Sequence, residues 1–193
     1  MVLTRSTMLS LGTQAPDFSL PDVVSGKTVS LKDFSENKAL LVIFICRHCP
    51  YVKHIEHEIA KIGKDYAKSD IGLVAISSNN IEAHPDDAPE NLKEQANRLG
   101  FTFSYLYDES QEVAKAFTAA CTPDFFLFNE KRELAYRGQL DDSRPGNDAE
   151  VDGKDLRKAI DAVLADKHVG GKQKPSVGCN VKWKAGNEPL YSA

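Results

Sequence analysis

The stretch Ala39-Leu-Leu-Val-Ile-Phe-Ile-Cys-Arg-His-Cys-Pro50 decides the fold of this chain. Its apolar part, Ala39–Ile45, is rich in Ile and Val, which is typical of a strand buried on both faces. The run leads directly into Cys46-Arg47-His48-Cys49, and the residues after Pro50 have helical periodicity. A Cys-x-x-Cys where a buried strand meets a helix indicates a dithiol/disulfide centre. The sequence therefore predicts that Cys46 and Cys49 are reacting residues.

The surroundings of Cys46 are expected to favour its thiolate. The residue should lie near the backbone N–H groups and the positive end of the predicted helix. Arg47 adds a fixed positive charge, and His48 adds donors or a partial charge near neutral pH. These effects should lower the pKa of Cys46, which makes it the expected nucleophile. Cys49 is expected one turn into the helix, more buried, and able to resolve a mixed disulfide formed on Cys46.

A structural zinc site is the alternative interpretation of the Cys-x-x-Cys. Such a site needs a second pair of Cys or His ligands at short spacing. The sequence has no second Cys-x-x-Cys, although His54 and His57 could supply two nitrogens. Both histidines are expected away from the apolar stripe of their helix. The strand-to-helix context favours redox chemistry, so no metal and no other cofactor are assigned to the site.

Composition narrows the class of protein. The chain has 193 residues, of which 41% are hydrophobic and 27% charged, and its net charge is −4. These values fit a globular domain and argue against nucleic acid or an anionic membrane as the main partner. Residues 1–14 lack the long apolar run of a secretory signal. Four scattered cysteines do not form a disulfide scaffold, so we expect a cytoplasmic protein with catalytic or sensing thiols.

The predicted strands and helices alternate along the chain. The strands are Asp17–Leu20, Lys27–Leu31, Leu40–Ile45, Ile71–Ile76, Tyr105–Tyr107, Phe125–Phe128 and Glu133–Arg137; the helices are Pro50–Ser69, Pro89–Leu99, Ser110–Phe117 and Asp152–Lys167. This order predicts an α/β fold with a central mixed sheet flanked by helices. An N-terminal hairpin precedes the sheet. We divide the chain into a flexible arm (1–14), a domain (15–168) and an irregular tail (169–193) that packs on the domain or extends from it.

Element order and motif together resemble the thioredoxin fold. More narrowly, the chain is similar to the peroxiredoxin-like branch related to the AhpC/TSA family and to TlpA-type thiol–disulfide oxidoreductases. The stretches that carry the resemblance are Phe44–Val52, Ala120–Phe125, Tyr136–Pro145 and Pro175–Trp183. The resemblance implies that Pro123 is a cis-proline facing the Cys-x-x-Cys. It also implies that Thr122 offers its backbone to a bound partner.

Two positions depart from the thioredoxin pattern. Thioredoxins carry a buried Asp six residues before the first cysteine, and this chain has Leu40 there. Proton transfer must then use another group or water. Thioredoxins also place a Trp before the first cysteine, where this chain has Ile45.

The peroxiredoxin pattern is incomplete as well. If Cys49-Pro50 aligns with the peroxidatic Cys-Pro, the position of the peroxide-activating Thr is Cys46. The distal Arg of that pattern could be Arg137 or Arg144, and the sequence does not choose between them.

Two further cysteines are candidates for redox roles. Cys121 precedes Pro123 by two residues, and it could be a third redox thiol, a metal ligand beside Cys46, or a small buried apolar residue. Cys179 lies in the tail, where it could resolve a sulfenic acid or a disulfide, or remain packed and inert.

The sequence thus predicts a thiol–disulfide oxidoreductase that exchanges its dithiol at Cys46 and Cys49. A peroxiredoxin-like thiol peroxidase with an antioxidant role is the first alternative. A soft-metal-binding or redox-sensing module is the second, with Cys46, Cys49 and Cys121 as ligands and His48 as an optional fourth. The expected partners are a protein or small-molecule disulfide, or a hydroperoxide, together with a thiol reductant system. We expect no nucleic-acid or membrane partner.

Overall fold

The computed structural model describes residues 3–192. Its strands are β1 (Leu3–Arg5), β2 (Ser19–Pro21), β3 (Thr28–Ser30), β4 (Ala39–Phe44), β5 (Ile71–Ser77), β6 (Ser104–Tyr107), β7 (Cys121–Thr122), β8 (Asp124–Phe128), β9 (Leu134–Gly138) and β10 (Val177–Asn180). Its α-helices are α1 (Pro50–Asp65), α2 (Pro89–Leu99), α3 (Glu112–Ala116) and α4 (Lys154–Leu164).

The central sheet has the strand order β6-β5-β4-β8-β9. Strand β4 runs parallel to β5 and antiparallel to β8, and the β5–β6 pair is parallel while β8–β9 is antiparallel. The predicted α/β class and mixed sheet are therefore confirmed. Every residue of β4 is buried, as its apolar run predicts for a central strand covered on both faces.

Alternate residues of β4 supply two separate cores. Leu41 and Ile43 pack on the face that carries α1 and α4, with Val52, Ile55 and Ile59 of α1 among their neighbours. Leu40, Val42 and Phe44 point to the opposite face, into a cluster that includes Phe117 and Phe126. The two-residue alternation of strand side chains thus explains how one short strand supports both layers.

The outer elements largely follow the predicted ones. The N-terminal hairpin is confirmed as β2 paired with β3. Helix α1 ends at Asp65 rather than near Ser69, and α3 is shorter than the predicted Ser110–Phe117 helix. Helix α2 ends at Leu99, and the following Gly100, with a positive φ of 66°, closes it in the left-handed conformation.

The arm and the tail differ from the prediction. Residues Leu3–Arg5 form β1 instead of a loose arm, and β10 lies within the tail that was expected to be irregular. Both strands join β7 in a second sheet of order β1-β10-β7, in which all pairs are antiparallel. The tail is therefore packed on the domain. Met1, Val2 and Ala193 lie outside the described residues.

Within residues 3–192, no helix has both the length and the apolar character needed to cross a bilayer.

Candidate active site

The Cys-x-x-Cys turn lies between the end of β4 and the start of α1. Helix α1 begins at Pro50, so Cys49 is its N-cap residue, and Cys46 lies outside the helix. The expectation that Cys49 lies one turn inside the helix is therefore wrong. The N-cap position brings Cys49 next to the backbone N–H groups of the first turn, and the Val52 amide donates to the Cys49 carbonyl at 3.1 Å. The positive end of the helix acts on Cys49 more than on Cys46.

The segment between β7 and β8 lies against both thiols. The Thr122–Pro123 peptide bond is cis, as predicted. The hydroxyl Oγ1 of Thr122 lies 3.4 Å from Sγ of Cys46, and its carbonyl oxygen lies 3.2 Å from Sγ of Cys49. One residue thus contacts both cysteines, through its side chain and through its backbone.

A buried carboxylate, Asp87, holds the turn in place. Its Oδ1 accepts hydrogen bonds from the backbone N–H groups of Arg47, at 2.8 Å, and of His48, at 3.0 Å. Its Oδ2 lies 2.5 Å from Nδ1 of His48 and accepts a bond of 2.8 Å from Asn79. Burial opposes ionisation, but the hydrogen bonds from His48 and Asn79 outweigh it and lower the pKa of Asp87. Sequence reasoning missed this residue, whose one signal was its place in a polar loop after a parallel strand.

The side chains of Arg47 and His48 have different surroundings. Nη2 of Arg47 forms a 2.6 Å ion pair with Glu94 of α2, so its charge is directed along the surface. Nδ1 of His48 lies 3.8 Å from Sγ of Cys46. The His48 ring also stacks on His84, with ring centroids 4.8 Å apart. His48, rather than Arg47, is the polar side chain beside the first thiol.

A third thiol reaches the site from the tail. Sγ of Cys179, in β10, lies 2.7 Å from Sγ of Cys49. The sequence left the role of Cys179 open, because its position relative to the turn depends on how a distant segment folds back. The structure brings Cys46, Cys49 and Cys179 into one cluster, with Cys49 in the middle.

Cys46 and Cys49 differ in the direction of their pKa shifts. A hydrogen bond from the Cys46 thiol lowers the pKa of Cys49 to about 5; burial opposes this, and the side chains of Cys179 and Thr122 lower the pKa further. Burial, the bond to Cys49 and the charge of Asp87 raise the pKa of Cys46 well above its usual range. This is the reverse of the order expected from the sequence. The physical causes are the hydrogen bond between the two thiols, which favours the charge on Cys49, and the burial of Cys46.

All three thiols are closed off from solvent. Cys46 and Cys49 are each 0% exposed, and Cys179 is 1% exposed. The expected contrast between an accessible nucleophile and a buried resolving thiol is therefore not found in this conformation. A depression of about 300 Å³ lies beside the turn, lined by Arg47, His48, Lys53, Glu56, Asp86 and Arg98. Two larger depressions, of about 530 and 550 Å³, are lined by residues away from the thiols.

Cys121 and the two candidate arginines lie apart from this cluster. The Cys121 thiol donates to the Pro123 carbonyl at 3.6 Å, and burial raises its pKa well above the usual range. Arg137 forms a fully buried 3.1 Å ion pair with Asp124. Arg144 donates to the Gln139 side chain and to nearby carbonyls of its own loop. These contacts direct both guanidinium groups to partners other than the thiols.

Three residues of a type that can bind a metal ion lie together on one side of the turn. Within residues 3–192, one ligand atom each of Cys46, His48 and Asp87 lie within 4.8 Å of one another. The grouping contains neither Cys121 nor the His54/His57 pair considered in the sequence. Because Asp87 already accepts four hydrogen bonds within the protein, its geometry is explained by support of the turn without an ion.

Solved structures share this fold over nearly the whole chain. An uncharacterized conserved protein from Geobacillus kaustophilus is 50% identical, with a TM-score of 0.93 over 95% of this chain and 97% of the other. A thiol:disulfide interchange protein of the thioredoxin family from Chlorobium tepidum is 18% identical. It gives a TM-score of 0.62 over 80% of this chain and 98% of the other, so the fold is thioredoxin-like.

Sequence relatives and a family model complete the assignment. A Mycobacterium tuberculosis protein named "Putative peroxiredoxin" is 28% identical over 117 residues, 61% of this chain and 69% of its own. The thiol-disulfide oxidoreductase ResA of Geobacillus thermodenitrificans is 25% identical over 134 residues, 68% of this chain and 70% of its own. The family model described as the AhpC/TSA family matches residues 11–137. The chain therefore belongs to the AhpC/TSA family of thioredoxin-like redox proteins.

Proposed function

We propose that this protein is a thiol–disulfide oxidoreductase whose reaction takes place at Cys46 and Cys49. The observation that carries the proposal is the contact of both thiols with one residue, Thr122, beside the cis-Pro123 bond. Two thiols that contact the same residue at a helix N-terminus are arranged for exchange between a dithiol and a disulfide.

We assign the first attack to Cys49, and the lowered direction of its pKa supports this choice. Its thiolate attacks one sulfur of a partner disulfide, and a mixed disulfide forms as the second partner sulfur leaves as a thiolate. Cys46 then attacks Sγ of Cys49, so the Cys46–Cys49 bond forms and the remaining partner sulfur is released. The proton of Cys46 passes to a released partner thiolate. Two electrons move from the dithiol to the partner, and an external thiol reductant must restore the dithiol.

His48 is placed to stabilise Cys46 when that sulfur carries charge. Because the pKa of Asp87 is lowered, its carboxylate is ionised near neutral pH and holds the proton of His48 on Nδ1. Nδ1 of His48 lies 2.5 Å from Oδ2 of Asp87 and 3.8 Å from Sγ of Cys46. When the Cys46–Cys49 disulfide is reduced, Cys46 leaves as a thiolate toward this donor. His48 and Asp87 thus take part of the role that a buried Asp before the first cysteine has in thioredoxins.

The test uses variants in which Cys179 is replaced by Ser, so that only two thiols can exchange. Bis(2-hydroxyethyl) disulfide is added, and the products are identified by mass spectrometry. Cys179→Ser should form the Cys46–Cys49 disulfide. Cys46→Ser/Cys179→Ser should retain a mixed disulfide on Cys49, and Cys49→Ser/Cys179→Ser should react at least tenfold more slowly.

The outcomes separate the role assignment from the function. If the variant that retains Cys46 accumulates the mixed disulfide instead, Cys46 is the nucleophile and the oxidoreductase proposal stands. If Cys179→Ser forms no Cys46–Cys49 disulfide and reduces no protein disulfide, the proposal is wrong. Cys121→Ser is the matched control, because it removes a buried thiol that lies outside the cluster.

A thiol peroxidase is the second candidate, favoured by Cys49 itself. Its lowered pKa and the following Pro50 match what a peroxidatic cysteine needs, and two thiols lie beside it to condense with a sulfenic acid. The contacts of Arg137 and Arg144 argue against this function, because both guanidinium groups are engaged elsewhere. Rapid-mixing oxidation by hydrogen peroxide decides: a rate no faster than that of a free thiol removes this candidate.

A further inference from the structure

Strand β10 occupies the backbone edge at which the sequence predicts a partner. Its register places Cys179 opposite Thr122 and Asn180 opposite Cys121, in an antiparallel ladder. The hydroxyl of Ser176 donates to the Pro123 carbonyl at 2.7 Å and extends the contact past the cis bond. The backbone that would receive an extended polypeptide by strand addition is therefore already paired with the protein's own tail.

The sequence of β10 is adapted to this close approach. A Cβ atom built on Gly178 would lie 2.0 Å from the carbonyl oxygen of Thr122 and 3.1 Å from Cδ of Pro123. Glycine is therefore required for the strand to lie this near the cis bond. The next residue is Cys179, whose side chain turns toward Cys49 and reaches it at 2.7 Å.

We infer that β10 is a tethered occupant of the partner groove and that Cys179 is the third redox residue of the centre, exchanging with Cys46 for the disulfide to Cys49. This inference rests on the proposed function, which supplies the oxidised Cys46–Cys49 pair. The ligand class of the groove is an extended polypeptide segment that carries a thiol or a disulfide, and the segment found there belongs to this chain.

The exchange step is balanced without a further oxidant. Cys179, as its thiolate, attacks Sγ of Cys49; the Cys49–Cys179 bond forms and the Cys46–Cys49 bond breaks. Cys46 leaves as a thiolate and takes the proton that Cys179 gives up. The number of disulfides is unchanged, so the oxidising equivalent moves from the turn to the tail.

Two features of the site support this direction of exchange. Cys49 is the only member of the cluster that contacts both other thiols, so it can belong to either disulfide. His48 stands beside Cys46, with Nδ1 at 3.8 Å from its Sγ, so a polar side chain lies next to the leaving thiolate. Strand β10 covers the groove while all four cysteines are reduced, and a Cys49–Cys179 bond would fasten it there covalently.

The wild-type protein itself supplies the decisive measurement. Reduced protein is oxidised with bis(2-hydroxyethyl) disulfide, blocked with N-ethylmaleimide and digested with trypsin. Cleavage after Arg47 separates Cys46 in the peptide 39–47 from Cys49 in the peptide 48–53, and Cys179 lies in the peptide 173–182. We expect peptide 48–53 joined to peptide 173–182. Absence of this linkage from oxidised wild type overturns the inference, whatever the variants show.

Cysteine variants show whether a missing Cys49–Cys179 linkage contradicts only the role of Cys179 or also the proposed oxidoreductase function. In Cys46→Ser, free thiols should fall from three per chain to one, because Cys49 and Cys179 still pair. In Cys179→Ser, peptide 39–47 should be joined to peptide 48–53. If that linkage forms but Cys179 stays fully alkylated in wild type, the oxidoreductase proposal survives and the inference about Cys179 is wrong. If peptide 48–53 pairs with neither neighbour, both are wrong.

Discussion

Two buried cysteine environments lie on opposite sides of the Cys121–Asp124 segment, and they differ in what surrounds each sulfur. On one side, Cys49 contacts two other thiols and the Thr122 carbonyl, and its pKa is lowered. On the other side, Cys121 contacts a carbonyl near the buried Asp124–Arg137 pair, and its pKa is raised. Both cysteines are 0% exposed. Burial alone therefore does not decide whether a thiol is reactive; the donors around it do.

The largest difference between the two sides should be seen on removal of their thiols. Cys49→Ser deletes the sulfur common to both possible disulfides, so protein-disulfide reduction should fall by roughly 10³-fold or more. Cys121→Ser should leave the rate within about twofold of wild type, because its thiol lies outside the cluster. Steady-state reduction of a protein disulfide with a dithiol reductant measures both. Equal losses in the two variants would remove the distinction drawn here.

Opening the covered side should change reactivity without touching a thiol. Gly178→Ala places a Cβ against the Thr122 carbonyl and should weaken the β7–β10 pairing by about 1–3 kcal/mol. The open population, and with it the alkylation rate of Cys49 by iodoacetamide, should rise roughly 5- to 150-fold. The alkylation rate of Cys121 should change little.

Gly170→Ala is the control for this substitution. Gly170 is also in the tail, but a Cβ there would meet no atom within 4 Å. An equal rise in Cys49 alkylation in both glycine variants would mean that the tail as a whole, and not β10, protects the thiol.

The contrast between the central elements and the tail shows how far sequence reasoning reaches. Strand β4 and helix α1 follow from local patterns: an unbroken apolar run, and apolar residues three and four apart. The Cys-x-x-Cys at their junction follows from the same local reading. The cis bond before Pro123 was predicted from the resemblance and is confirmed. These features need only neighbours in the chain, or a pattern already known.

The missed features all depend on distant pairing. Strand β10 has only four residues, among them a glycine and a terminal asparagine, and its partner β7 precedes it by more than fifty residues. Asp87 supports a turn forty residues before it, and no local periodicity marks it. The predicted start of α1 at Pro50 is confirmed, so Cys49 lies at the N-cap rather than one turn inside the helix. The opposite pKa shifts of Cys46 and Cys49 depend on how the thiols and Asp87 pack together, which the sequence alone does not show.

The two sides should also respond to pH with opposite signs. Burial, opposed by Arg137, raises the pKa of Asp124 from 3.8 to about 6. The folded state therefore binds the Asp124 proton more tightly than the unfolded state does. This adds about 3 kcal/mol to the free energy of unfolding below about pH 4, and the contribution is lost as pH rises through 6. The pKa of Asp87 is lowered in the folded state. The stabilisation by its carboxylate is therefore present above pH 3.8 and is lost as pH falls through the pKa of Asp87 in the folded state.

Urea unfolding at about pH 3.5, 5 and 7 measures both contributions. The stability of wild type relative to Asp124→Asn/Arg137→Gln should decrease as pH rises, since the double variant replaces the buried pair by neutral groups. Relative to Asp87→Asn, the stability of wild type should decrease as pH falls. If both differences in stability changed with pH in the same direction, the opposite pKa shifts of Asp87 and Asp124 would be contradicted.

The smallest effect is expected at the residue that connects the two sides. The hydroxyl of Thr122 lies 3.4 Å from Sγ of Cys46, and it opposes the rise in the pKa of Cys46 that burial causes. Thr122→Val keeps the shape of the side chain but removes this contact, so the second attack, by Cys46 on the mixed disulfide, should slow about two- to fivefold, as expected for one weak hydrogen bond. Thr122→Ser keeps the hydroxyl and should slow this attack less.

Single-turnover release of 2-mercaptoethanol from the mixed disulfide, measured in Cys179→Ser, follows the attack by Cys46 alone. If Val and Ser slow it equally, the lost methyl packing or the backbone, rather than the hydroxyl, sets the rate, and Thr122 acts on the reaction only through its carbonyl beside Cys49.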